Sequence, residues 1–144
     1  MKEIIKKQTE LIEKITSSFK SAQAALIKKE IQDLSKNIAM VEEYSLEFEK
    51  LEELLLKELN NLGYSSITNY INSTNDKEMS ILLATFMEKL NELSIVMSNF
   101  KEMLDFENNY FDFVKSLFSN TSQTSTYSKT GYEKVNSSFF NKSY

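Results

Sequence analysis

The sequence predicts an all-α protein: an antiparallel bundle of three long helices with a short connecting helix, followed by a C-terminal tail that is disordered alone. Three observations carry this prediction. Apolar residues recur at steps of three and four over most of the first 118 positions, the seam spacing of helices packed side by side. The 144 residues include no Pro and two Gly, so little interrupts such helices. From Ser119 onward the pattern stops, and 26 residues hold seven Ser, four Thr and three Asn. The division is a helical domain over 1–118 and a tail over 119–144.

The first helix is expected from Lys2 to about Ile27, because Ile4, Ile5, Leu11, Ile12, Ile15, Phe19, Ala22 and Leu26 share one face. The second runs from Glu30 to Leu62, with Ile31, Leu34, Ile38, Val41, Phe48, Leu51, Leu55, Leu59 and Leu62 on its face. Between them, Lys28-Lys29-Glu30 offers no Gly, Pro, Asn or Asp. A turn and a continuous helix with a stutter both satisfy the apolar phase there. Length favours the turn, since a single 60-residue helix could not bury its seam against one shorter helix without oligomerising.

Asn60-Asn61-Leu62-Gly63 reads as a helix end, with Gly63 free to take the left-handed conformation after it. A Ser-capped short helix from Ser66 to Ile71 follows, plugging the end of the bundle. The long helix runs from Asp76 to Phe118, and Asn75 or Asp76 caps it. Its main seam is Met79, Leu83, Phe86, Leu90, Leu93, Met97, Phe100, Leu104, Glu107, Phe111, Val114 and Phe118, in which only Glu107 is polar. A second row begins polar and ends as Met103, Phe106, Tyr110, Phe113 and Leu117, all apolar. Two helical neighbours at that end would bury both rows. The alternative is that the helix runs back along the second one, outruns it by about ten residues, or roughly 15 Å, and keeps the second row open as a docking surface.

Composition excludes several function classes. With no His and no Cys there is no Ser-His or Cys-His nucleophile pair, no Cys/His zinc site and no Glu-x-x-His di-iron site. The carboxylates are scattered as on solvated faces, so the expectation is a non-enzyme without cofactor or metal. All 17 basic residues are Lys, the net charge is -4, and no basic patch or guanidinium fork is available for nucleic acid. No apolar run approaches the ~20 residues of a membrane span. Met1 to Lys7 returns to charge too soon for a signal peptide, which points to a cytoplasmic protein.

The tail carries Tyr127, Tyr132, Val135, Phe139, Phe140 and Tyr144 among its polar residues. Such a segment cannot bury enough surface to order itself, yet these side chains suit anchoring on another surface. Tyr127 combines an aromatic face with a hydroxyl, and Gly131, four residues on, permits a sharp backbone turn.

The order of elements resembles the FlgN family of flagellar export chaperones, across nearly the whole chain. The residues that carry the resemblance are Ala25-Leu26 before the first turn, Asn61-Leu62-Gly63 before the short helix, and Glu107-Asn108-Asn109-Tyr110-Phe111 late in the long one. In the tail they are Thr126-Tyr127-Ser128-Lys129-Thr130-Gly131, similar to a Tyr-x-x-x-Gly element, and Phe139-Phe140-Asn141-Lys142-Ser143. Two positions depart: Lys29-Glu30 stands where Gly-Asp or Asn-Asp is common, and no basic residue occurs at Glu52 to Leu56. The resemblance implies a cytoplasmic type III export chaperone. Its cargo would be the hook–filament junction proteins (hook-associated proteins 1 and 3), kept from premature assembly and delivered to the export gate. It also implies that the segment of Tyr127 and Gly131 docks on the cytoplasmic part of that gate. The free protein is expected as a monomer or weak dimer. The other reading is a structural or regulatory coiled-coil module, or a chaperone for a different secreted protein.

Overall fold

In a computed structural model, the backbone is described for residues 1–118 and the side chains for residues 1–108. The described chain is entirely helical: α1 (Lys2–Lys28), α2 (Ile31–Asn61), α3 (Ile67–Thr74) and α4 (Lys77–Phe118). The predicted boundaries hold to within three residues at every end, and the turn at Lys28 to Glu30 is present. The tail lies outside the described residues.

Among the described residues, helix α1 packs closely on both α2 and α4, and no comparable backbone approach joins α2 to α4. The expectation that the long helix follows the second one is therefore corrected. Its close backbone neighbour is α1, and it meets α2 through side chains such as Phe48 and Phe86, whose stacked rings are 6.2 Å apart. Helices α1 and α4 run parallel: Lys2 pairs with Glu78 at one end, and Gln23 Nε2 donates to the Val96 carbonyl (3.2 Å) near the other.

The core is drawn chiefly from the predicted faces of α1 and of the middle of α4, with Val41 from α2. Ile12, Ile15, Phe19, Ala22, Val41, Leu93, Met97, Phe100 and Leu104 form one buried cluster. Phe19 and Phe100 meet at its centre with ring centroids 5.4 Å apart, tilted by 56°. Several polar residues of α1 also go inside, because a helix between two neighbours buries a wider arc than a single seam. Gln8, Thr16 and Ser18 are buried, and Thr16 satisfies its hydroxyl on the Ile12 carbonyl at 2.8 Å. Ser45 of α2 is buried as well, but its Oγ finds no hydrogen-bond partner among the described residues. A buried hydroxyl without a partner costs on the order of 1–3 kcal/mol. Ser45→Ala should therefore stabilise the protein by about 1 kcal/mol, read as a higher urea midpoint with unchanged slope.

The two main helix ends use the same hydrogen-bond pattern with different residues. After α2, Tyr64 N–H reaches the Leu59 carbonyl (2.9 Å) and Gly63 N–H the Asn60 carbonyl (3.0 Å), with Gly63 at φ 86°. After α1, Glu30 N–H reaches the Ala25 carbonyl (2.9 Å) and Lys29 N–H the Leu26 carbonyl (3.2 Å), with Lys29 at φ 59°. Both are Schellman motifs. Gly63 takes the left-handed conformation freely, whereas Lys29 sets its Cβ against the following carbonyl at a cost of ~1 kcal/mol. Lys29→Gly should raise stability by about 0.5–1 kcal/mol in a urea titration, even though it removes a cation favourable at a helix C-terminus.

Short polar side chains start the remaining helices. Ser66 Oγ accepts from Asn69 N–H (3.1 Å) to begin α3, and Asp76 Oδ1 accepts from Met79 N–H (3.0 Å) to begin α4. Asp76 also takes the Tyr70 hydroxyl (3.2 Å) and lies 3.6 Å from Lys2 Nζ. The capping N–H of Met79, with Lys2 and Tyr70 in support, holds its carboxyl below the ordinary carboxylate range. Lys2 is shifted up, chiefly by its hydrogen bond to Glu78. A depressed carboxylate stabilises the fold above its unfolded pKa and loses that contribution as pH falls through the folded value. Asp76→Ala should thus melt lower at neutral pH and lose less on acidification below about pH 4 than the parent does. Melting curves from pH 7 to pH 2 test this.

Candidate docking surface

The end of the molecule opposite the Lys2–Asp76 contact is built by unequal helix lengths. Lys2 pairs with Glu78 and Gln23 with Val96, so the parallel register places the end of α1, Lys28, level with Lys101 to Leu104 of α4. Among the residues whose side chains are described, Leu104 is the last buried one of the seam. Helix α4 continues to Phe118, about fourteen residues or roughly 21 Å farther at 1.5 Å per residue. The length of this projection follows from the level of α1 and the α1–α2 turn.

The sequence-predicted docking residues begin where the projection begins. Met103 is half-buried and Phe106 is 69% exposed. Tyr110, Phe113 and Leu117 lie on the described helix in the same 3-4 row as Phe106, and their side chains lie outside the described residues. Tyr127 and Gly131 also fall outside the described residues. The structure therefore brings Met103 and Phe106 together at the base of the projection.

Sequence reasoning missed two residues at this end. Ile31 was expected in the buried face of α2, and Ile27 was assigned to no face of α1; each is 70% exposed, on either side of the turn. The turn ends one helix axis and starts another, so Ile27 and Ile31 are left at the tip with no third element over them among the described residues. A signal existed in the five-residue step from Leu26 to Ile31, which marks the point where neither phase continues into the other.

Other surface features lack this concentration. Leu46, Leu54 and Leu56 of α2 and Ile81, Met87 and Ile95 of α4 are exposed but scattered among polar neighbours, as single surface hydrophobes usually are. An open groove between α1 and α2 is lined by Ser17, Ser18, Ser21, Asn37, Met40 and Tyr44, with the Lys14 ammonium 5.7 Å from the Tyr44 ring. It is mostly polar. Among the described residues no acidic cluster is arranged to hold a metal ion, and no helix is long and apolar enough to cross a membrane.

Comparison with protein-family models, with curated protein sequences and with solved structures found no match.

Proposed function

We propose that this protein is a non-enzymatic export chaperone of the flagellar type III pathway. Its work is to cover an apolar segment of a hook–filament junction protein before that segment can assemble. The observation that carries this reading is the projection of α4 beyond α1, with Phe106 exposed at its base and apolar residues in phase along the rest. A helix that carries an apolar row past the end of its own bundle can offer a partner helix the i, i+3, i+4, i+7 anchors of helix-in-groove recognition. A covering function of this kind requires no cofactor. The cargo class and the cytoplasmic location come from the resemblance in element order and tail.

The tail would complete the task at the export gate through Tyr127, with Gly131 allowing the backbone to turn and present the ring. Docking of an unordered anchor costs entropy, so gate binding is weak in the absence of cargo. Tyr127→Ala and Tyr132→Ala, compared in parallel, test the assignment. Tyr127→Ala should lose binding to the cytoplasmic domain of the gate while cargo affinity is unchanged, and Tyr132→Ala should alter neither. Equal behaviour of the two variants removes the basis for a role specific to Tyr127. Affinity purification of the full chain from its own cells, with mass spectrometry of what accompanies it, tests the cargo class. Recovery of junction proteins in stoichiometric amount supports the reading, and a different secreted protein or a homodimer replaces it.

A further inference from the structure

We infer that the outer face of the α1–α2 hairpin is an interface between two copies of this chain, related by a two-fold axis at the level of Lys7, Glu10 and Lys50. An open groove brings both helices to this face: Lys7, Glu10 and Lys14 of α1 line it with Glu47, Lys50 and Leu51 of α2. On α1, Glu3, Lys7, Glu10 and Lys14 follow one face at steps of four, three and four, and their charges alternate. An alternating row with as many negative as positive members is complementary to itself when run antiparallel. A two-fold axis runs it so, because residue i then meets residue j while j meets i. Lys7 faces Glu10 of the second copy, Glu10 faces Lys7, and Glu3 and Lys14 face each other at both ends.

Helix α2 carries a second pattern with the same centre. The Lys14 ammonium lies over the Tyr44 ring at 5.7 Å, so the antiparallel hairpin puts the point midway between Lys7 and Glu10 level with about Lys50. Leu46 and Leu54, both exposed, stand about one turn to either side of Lys50. Glu43 and Lys57, also exposed, stand about two turns to either side. The same axis therefore sets Leu46 against Leu54 of the second copy and Glu43 against Lys57. Within one copy these leucines are isolated; across the axis they cover each other. The one unfavourable facing is Lys50 against Lys50 on the axis, with Glu47 of each copy a turn away to offset it. Two patterns self-complementary about one level identify the occupant. Another protein would have to reproduce both, whereas a second copy has them already.

Lys7 and Glu10 matter most. Glu3 is already held by Lys6 (3.5 Å) and Lys14 by the Tyr44 ring, whereas Lys7 and Glu10 enter no ion pair among the described residues. Exposed pairs contribute little each, so the dimer is weak and depends on salt. It also lies away from the candidate docking surface. Ser21, farther along the same face, and Gln23, which bonds the α4 backbone, sit on opposite sides of α1, so a second copy here leaves α4 open. Antiparallel pairing points the two α4 projections in opposite directions. The pairing therefore does not depend on the chaperone reading.

Sedimentation equilibrium of the full-length protein without cargo tests it. At about 0.5 mM protein and about 20 mM salt a reversible dimer should form, and about 0.5 M salt should return it to monomer. Lys7→Glu sets like charges against each other at two places and should raise the dissociation constant at least about tenfold. Lys7→Glu with Glu10→Lys restores opposite charges at both places and should bring it back to within about threefold of the parent. Lys50→Leu removes the repulsion on the axis and should tighten the dimer. Circular dichroism should show every variant folded, since all three side chains are exposed. A protein that stays monomeric at low salt overturns the inference. So does a dimer that Lys7→Glu leaves unchanged, that the double substitution fails to restore, or that Lys50→Leu weakens.

Discussion

Phe19→Ala should cost about 3–5 kcal/mol and lower the melting temperature by roughly 10–20 °C, among the largest effects on stability expected from a single truncation of a described residue. Phe19 is 2% exposed and faces Phe100, which is 1% exposed, at the point where α1 holds α4. Removing the ring leaves a cavity between two helices whose axes are fixed above by Leu104 and below by Met97 and Leu93, so the walls cannot close on it. The tilted pair of rings adds to the loss, since such contacts contribute about 0.5–1.5 kcal/mol beyond area burial. Urea denaturation followed by circular dichroism at 222 nm measures the change. A loss under 1 kcal/mol would mean that α1 and α4 are not held together at this level.

Phe106→Asp with Phe113→Asp should produce the opposite pattern: cargo affinity falls by about a hundredfold or more while the melting temperature moves by a degree or two. Phe106 is 69% exposed, so a carboxylate there meets water in the free protein and is charged at no desolvation cost. In a complex the same carboxylate would sit against apolar cargo without a partner, and the cost of burying it appears entirely in the affinity. Phe113 belongs to the same row two helical turns on. Isothermal titration of both proteins with a purified junction protein, alongside thermal melts, separates the two effects. A large loss of stability would instead place Phe106 and Phe113 in a packed interface of the protein's own.

The two substitutions differ because of how much each helix buries, and that was only partly legible in the sequence. The 3-4 spacing identified the buried set of Ile12, Ile15, Phe19, Leu93, Met97, Phe100 and Leu104, since a helix repeats its faces at that period wherever it packs. Gly63, Ser66 and Asp76 announced their ends and caps, because each role needs a specific residue chemistry. The turn at Lys29 had no such chemistry. It is held by the same backbone hydrogen bonds as the turn at Gly63, and hydrogen bonds from the backbone leave no mark in the side chains. A seam also tells that a face is buried without telling against what. That ambiguity is why α4 was placed along α2 when its backbone follows α1. Ser45 went unread because its burial comes from the geometry around Val41 and not from its own polarity. For the candidate site, the apolar row from Met103 to Leu117 was visible in the residues, but the exposure of Phe106 depends on the relative heights of helix ends. Those heights were set by contacts such as Lys2–Glu78, seventy-six residues apart in the chain.

Hydrogen exchange of the full-length protein, with and without a saturating junction protein, tests most directly whether the projecting end of α4 is the surface that cargo covers. Amides from Asp105 to Phe118 lie beyond Leu104, the last buried residue among the described side chains, and they should exchange quickly in the free protein. Cargo should slow them by at least about tenfold, a change of roughly 1.4 kcal/mol in local opening, while amides of the Phe19–Phe100 core keep their rates. Protection that falls along the α1–α2 groove, or none at all from Asp105 to Phe118 under saturation, would contradict the account.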